Sequence, residues 1–252
     1  MTHIALLIPA LNEEAGITRT ARVAREALDT GLVHSVYALD GGSRDDTVLC
    51  ARDAGVEVLS VPSLLPELGP VLGKGDSLFR GVHSVDADWY VFLDADLGNI
   101  SLAHIAALVA PIGAPSVQFV KGGFVRVDEH DVPREVPGGR VTEEFGRPLL
   151  GKVAPELAAF SQPLSGQVAI AAPLARSLGF VTGYGVEIAM LIDVWRLLGT
   201  ARIVEADMGL VNNRWKPDDA LGDVIAEVVG AAHIRGVTLD GVAGSVLVER
   251  TP

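Results

Sequence analysis

The chain has 252 residues, 49% of them hydrophobic and 21% charged, with a net charge of −12 and a single cysteine, Cys50. That much apolar material closes a full core, so disorder is excluded, and the acidic balance argues against a nucleic-acid partner, whose phosphates need basic surface. One cysteine leaves no disulfide framework and no cysteine-rich zinc site.

The elements follow in chain order. "HIALLIPA" reads as a strand whose apolar run is too short to span a membrane, and no basic segment precedes it. No signal peptide and no membrane partner are therefore expected, and the location expected is cytoplasmic. Glu13 to Leu28 patterns as a helix, "HSVYALD" as a second strand, and Asp45 to Ala54 as a second helix with Asp45 as its N-cap. "VEVLSV" is a third strand, "GDSLFRGVHS" helical and "DWYVFLD" a fourth strand. Near-continuous apolar strands separated by helices predict an α/β fold with a mainly parallel sheet covered on both faces. Ligands of such sheets bind at the carboxyl ends of the strands. Those ends carry "PALNEE", "DGGSRDD" and "DADLGN".

Beyond a soft boundary near residues 97–115, "SVQFVKGGFVRV" predicts one or two strands and "DEHDVPREVPGG" a loop. "RVTEEFGRPLLGKV" predicts a helix, "QVAIAA" a strand and "GVEIAMLIDVWRLLG" an apolar helix, core or dimer interface. "ARIVEADMGL" predicts a strand and the segment from Pro217 to Ile234 a helix; the tail from Arg235 is ambiguous. His83, His104, His130 and His233 lack metal-ligand spacing and read as surface or core residues.

Five stretches carry chemistry. In an extended segment residues two apart share a side, so Asp94 and Asp96 would project together from the fourth strand. Two carboxylates about 5 Å apart repel by roughly 3 kcal/mol at an effective dielectric of 20, and Mg²⁺ or Mn²⁺ with a phosphate ligand would reverse that sign. A solvated turn is the competing reading. In "DGGSRDDT" the glycines at 41 and 42 let backbone amides approach a ligand, though an ordinary strand-to-helix turn uses the same residues. "GPVLGKGDS" puts Lys74 between glycines at a helix start, either an anion site or a solvated lysine, and it lacks P-loop spacing. "GGRVTEE" offers Arg140 as a fork for carboxylate or phosphate, or is a plain loop entering a helix. "TGYGVEI" sets Tyr184 and Glu187 at the head of an apolar helix, where a carboxylate can also simply face the dipole.

Taken in succession, "PALNEE", "LDGGSRDDT", "GKGDSLFRG", "FLDADL", "GGRVTEEFGRPLL", "QPLSG" and "GYGVEIAMLID" resemble a GT-A fold glycosyltransferase. More narrowly, they resemble the retaining glucosyl-3-phosphoglycerate synthases and their mannosyl relatives. The resemblance implies a single GT-A domain over 1–252, with a nucleotide-sugar half at 1–115 and an acceptor half at 116–252. It implies that Pro9, Ala10, Leu11, Glu13, Gly42, Ser43, Lys74, Asp94 and Ala95 bind the donor. Asp96 would hold Mg²⁺ or Mn²⁺, and Gly139, Arg140, Thr142 and Arg214 would hold the acceptor. Lys74, Asp96, Tyr184 and Glu187 would form the catalytic group. The implied reaction moves glucose from a nucleoside diphosphate donor, UDP-glucose foremost, to the 2-hydroxyl of 3-phosphoglycerate, in a homodimer.

One stretch departs from the family pattern R-x-H-R-N-R-P. Here it reads "VNNRWKP", so Asn213 stands where a metal-binding histidine is expected, with Val211 and Trp215 in place of an arginine and an asparagine. Asparagine oxygen suits Mg²⁺ better than softer ions, so a weaker or Mg²⁺-biased site is expected. The changes also admit a paralogue with another small phosphorylated or carboxylated acceptor, or a nucleotide-sugar-binding protein without catalysis.

Overall fold

The computed structural model describes residues 2–212 and 221–252. Its strands are β1 Ile4–Ala10, β2 Ser35–Asp40, β3 Glu57–Ser60, β4 Trp89–Phe92, β5 Phe119–Arg126, β6 Val168–Ala171, β7 Phe180–Val181, β8 Ile203–Val211 and β9 Glu249–Arg250. Its helices are α1 Glu14–Asp29, α2 Thr47–Asp53, α3 Gly73–Ser84, α4 Leu102–Val109, α5 Arg147–Val153, α6 Pro155–Ala158, α7 Ala172–Ser177, α8 Val186–Leu198 and α9 Gly222–Ile234. Seven strands form one sheet in the order β3-β2-β1-β4-β6-β5-β8. β6 alone runs against its neighbours, antiparallel to β4 and β5, so the sheet is mainly parallel as the strand patterns predict.

Why β1 reads as an unbroken apolar run is visible in its two faces. Ile4, Leu6 and Ile8 pack with Ile17 and Ala21 of α1 and Ile105 of α4. Ala5 and Leu7 face the opposite core, with Leu78 and Phe79 of α3 and Leu191 of α8. Helices on both sides leave no solvated face to alternate toward. The apolar stripe of α8 is likewise core: Ile188, Leu191, Ile192 and Val194 are completely buried.

Several local expectations shift. Helix α4 occupies the stretch read as a soft boundary, started by a capping box in which His104 Nδ1 accepts the Ser101 N–H at 3.0 Å. The N-cap of α2 is Asp46 and not Asp45, which lies two residues ahead of the helix, yet Asp45 Oδ1 accepts both the Thr47 N–H (3.1 Å) and the Thr47 hydroxyl (2.5 Å). The helix expected over 140–153 contains a π-turn at Thr142–Gly146 before α5. The helix expected from Pro217 is seen from Gly222, and residues 217–220 lie outside the described ones. In the ambiguous tail, β9 pairs antiparallel with β7.

That pairing carries a brace. Asp76, fully buried in α3, accepts from Arg80 Nε at 3.0 Å and from Arg250 Nε and Nη2 at 3.0 and 3.1 Å. Arg80, also fully buried, donates onward to Leu64 O and Gly69 O, tying down the loop ahead of α3. Burial would raise the Asp76 carboxyl, but the two arginines hold it below its usual range. Asp76→Asn leaves a buried guanidinium without its counter-charge and is expected to cost about 3 kcal/mol in urea unfolding. A loss under about 1 kcal/mol would mean that the brace is not holding this region.

Candidate active site

The carboxyl ends of β1, β2 and β4 open onto a cavity of about 1010 Å³. Pro9, Ala10, Leu11 and Glu13 from the β1–α1 loop line one side, with Gly41 from the β2–α2 loop beside them. Gly42 and Ser43, expected at the donor, are not in this wall. Ser43 instead organises it: its Oγ accepts the Asn12 N–H at 3.0 Å, and Asn12 Oδ1 accepts the Arg44 N–H at 2.9 Å. Asn12 adopts a left-handed backbone, φ 55°, so these bonds fix a turn that bulkier residues resist.

At the cavity floor Lys74 Nζ lies 2.5 Å from Asp94 Oδ1 and 2.5 Å from Glu187 Oε1. Burial would lower the ammonium's pKa, but the two carboxylates raise it well above the usual lysine value. Lys74 is therefore a fixed cation and donor, never a base, with one N–H left for a ligand after both carboxylates are served. A cation in the first turn of a helix opposes the helix dipole, which explains why two carboxylates are needed to hold it there. Burial would raise Asp94, and Lys74 together with Gln167 outweighs that and holds it below the usual range.

Three residues of this floor carry no individual role in the sequence reading. Gln167 accepts the Asp94 N–H through Oε1 at 3.0 Å and donates from Nε2 to Asp94 Oδ2 at 2.9 Å. A Cβ on Gly166 would meet Asp94 Oδ1 and Lys74 Nζ at 2.5 Å, so only glycine leaves room for the pair. Lys121 is fully buried in β5 and donates to Ser165 O at 2.6 Å. Gly166 at the end of "QPLSG" and the Gln167 that follows it thus back the ion pair, and the lysine inside the apolar run "QFVKGGFV" donates to the same loop.

Burial pushes Lys121 down to about 8, against the opposing pull of Glu187. The unfolded chain releases that proton only near about 10.4, so between these values it binds more protons than the folded chain. Stability from this group therefore grows as pH rises from about 8 toward about 10.4. Lys121→Met should remove about 2 kcal/mol of alkaline gain between pH 7.5 and 9.5, read as the difference between wild-type and variant urea curves. Parallel pH profiles for the two proteins would contradict the assignment.

Asp94 and Asp96 both line the cavity. β4 ends at Phe92 and the chain turns at 95–96, so the two-residue repeat stops before Asp96. Asp94 is committed to Lys74 and Gln167, while Asp96, also on the cavity, is the carboxylate that the resemblance assigns to the cation. One carboxylate with diphosphate oxygens is the donor set Mg²⁺ accepts, so the residues fit the expected ion. Bound there, the ion would neutralise charge on the departing diphosphate. Asn213, the other expected metal ligand, Arg214 at the acceptor and Trp215 lie outside the described residues. Val211 is completely buried in the core and does not line the cavity.

Gly139, Arg140 and Thr142 also line the cavity, at the start of the π-turn. Tyr184 lines it from just ahead of α8 and Glu187 from the first turn of that helix, and Glu227 Oε2 accepts the Tyr184 N–H at 2.6 Å. The structure thus gathers onto one cavity every expected site residue that it describes except Gly42 and Ser43.

Known proteins share this fold. Residues 5–160 match the glycosyl transferase family 2 model. A glucosyl-3-phosphoglycerate synthase of Mycobacterium tuberculosis is 39% identical over 245 residues, 95% of this chain and 75% of its own. One from Mycolicibacterium smegmatis is 34% identical over 95% of this chain and 80% of its own. The crystal structure of the M. tuberculosis enzyme with Mn²⁺, UDP-glucose and phosphoglyceric acid superposes with a TM-score of 0.86 at 36% identity, covering 100% of this chain and 90% of that one. Another, with Mg²⁺ and UDP, gives 0.84. This chain belongs to glycosyl transferase family 2 and, within it, to the glucosyl-3-phosphoglycerate synthases.

Proposed function

We propose that this protein transfers glucose from UDP-glucose to the 2-hydroxyl of 3-phosphoglycerate, with Mg²⁺ or Mn²⁺ and with retention of configuration. The observation that carries the reading is the shared cavity. Lys74, held between Asp94 and Glu187, lines it together with Asp96 and the Gly139–Thr142 segment. Lys74 and the ion held at Asp96 would offset charge on the departing diphosphate, and the Gly139–Thr142 backbone with Arg140 would seat the acceptor's phosphate. Asp94 and Glu187 are each engaged by Lys74, so neither is free to attack the sugar. That favours front-face transfer, with the departing phosphate taking the acceptor's proton, over the two-carboxylate route of glycosidases. The 1–115 and 116–252 segments serve as donor and acceptor halves of a homodimeric, cytoplasmic enzyme in this reading. A matrix of nucleoside diphosphate sugars against small acid acceptors, followed by nucleotide release, tests it. Acceptor-dependent UDP release should peak with UDP-glucose and 3-phosphoglycerate. Tight UDP-glucose binding without acceptor-dependent release would instead indicate a sensor.

A further inference from the structure

Arg126, the last residue of β5, carries no role in the site so far, yet its guanidinium is on the cavity wall. It is half-buried and poorly satisfied. Its Nε donates to Gln162 Oε1 at a long 3.4 Å, and neither terminal nitrogen has a hydrogen-bond partner among the described residues. Gln162 is itself fixed, donating from Nε2 to Pro137 O at 2.7 Å and to Phe124 O at 3.2 Å. A Cβ on Gly139 would lie 3.2 Å from Arg126 Nη1, so the guanidinium sits directly against the acceptor segment, at a glycine whose φ is +79°. Burial and the neighbouring charge of Arg134 destabilise the cation, and Asp94 and Asp96 draw it the other way. Arg134 is pinned close by, with its N–H on Arg126 O at 2.9 Å and its Nε on Val127 O at 3.1 Å.

A half-buried guanidinium whose two terminal nitrogens are open, held near a second arginine, is stabilised by an anion, and its fork matches a carboxylate. We infer that Arg126 is a specificity-determining residue that takes a second anionic group of the acceptor, while the first rests on the Gly139–Thr142 segment. The site would thereby select acids carrying two anionic groups over those carrying one. This rests on the reading given under Proposed function.

The test compares 3-phosphoglycerate with glycerol 3-phosphate, which lacks the carboxylate, as acceptors for wild type, Arg126→Lys and Arg126→Gln. The preference for 3-phosphoglycerate, taken as the quotient of the two kcat/KM values, should fall by about 10- to 100-fold in Arg126→Gln, with Arg126→Lys between. The change should lie in the Michaelis constant for the phosphoglycerate acceptor, with the constant for UDP-glucose and the thermal midpoint unmoved. Calorimetric binding of 3-phosphoglycerate should weaken in parallel while that of glycerol 3-phosphate holds. An unchanged preference in a folded, active Arg126→Gln enzyme overturns the assignment of Arg126 alone. Wild type that turns over neither acceptor overturns the functional reading and this inference with it.

Discussion

Lys74→Met is expected to lower glucosyl transfer by about 10²- to 10³-fold, read as released UDP, because the departing diphosphate loses its fixed cation. The same change leaves Asp94 and Glu187, with side chains 21% and 10% exposed, as facing carboxylates without their shared ammonium. Removing one member of a buried ion pair costs about 3–5 kcal/mol; partial access of water here puts the expected loss nearer about 2–3 kcal/mol. The two losses separate in a double variant. Lys74→Met with Glu187→Gln should recover much of the stability, because one repelling charge is gone, and none of the turnover. Recovery of turnover would show that Lys74 acts only through folding. The acid limb provides a second check. Asp94 is depressed in the folded chain, so its contribution is present above the unfolded carboxylate value and disappears as pH falls through the folded one. Stability of the Lys74→Met protein should consequently fall less between neutral and acid pH than that of wild type.

Asp96→Ala should reduce turnover by about 10³-fold or more, since it removes the described carboxylate placed to hold the ion that neutralises the diphosphate. Because Asp96 sits in a turn after β4 and not in the Lys74 node, the thermal midpoint should move by only a few degrees. Titrating Mg²⁺ and Mn²⁺ in the presence of UDP should show metal-dependent nucleotide binding in wild type and its loss in the variant. A variant that retains turnover and metal dependence would move the ion elsewhere. The same titration on wild type addresses Asn213: a preference for Mg²⁺ follows from an oxygen ligand, and tight Mn²⁺-selective binding would argue against it.

The sequence disclosed more of the sheet than of the wiring beneath the site. β1, β2 and β4 were legible because burial on both faces makes them continuous apolar runs, and the polar loops at their ends announced the cavity edge. α4 was hidden because its capping box uses His104 where the recognisable signature has Glu or Gln. The π-turn at Thr142–Gly146 has no propensity signature, so the segment read simply as helix. Lys74, Asp94 and Glu187 were each identifiable, but Lys74 and Glu187 meet across 113 residues of sequence. Neither periodicity nor spacing carries that information. Ser43 was placed at the donor by resemblance alone, and the structure shows its hydroxyl accepting from Asn12 while the residue stays outside the cavity lining.

The Asp76–Arg250 brace has a consequence for how the protein is made. Its two ends are separated by 174 residues, so loop closure delays the contact until most of the chain has been synthesised. During translation β1 through β4 and α3 can assemble early, while Lys74 still awaits Glu187 and Asp76 still awaits Arg250. The nascent chain therefore carries an unfinished charged seam through much of its elongation. Pairing of β9 with β7 brings Arg250 onto Asp76 and closes that seam.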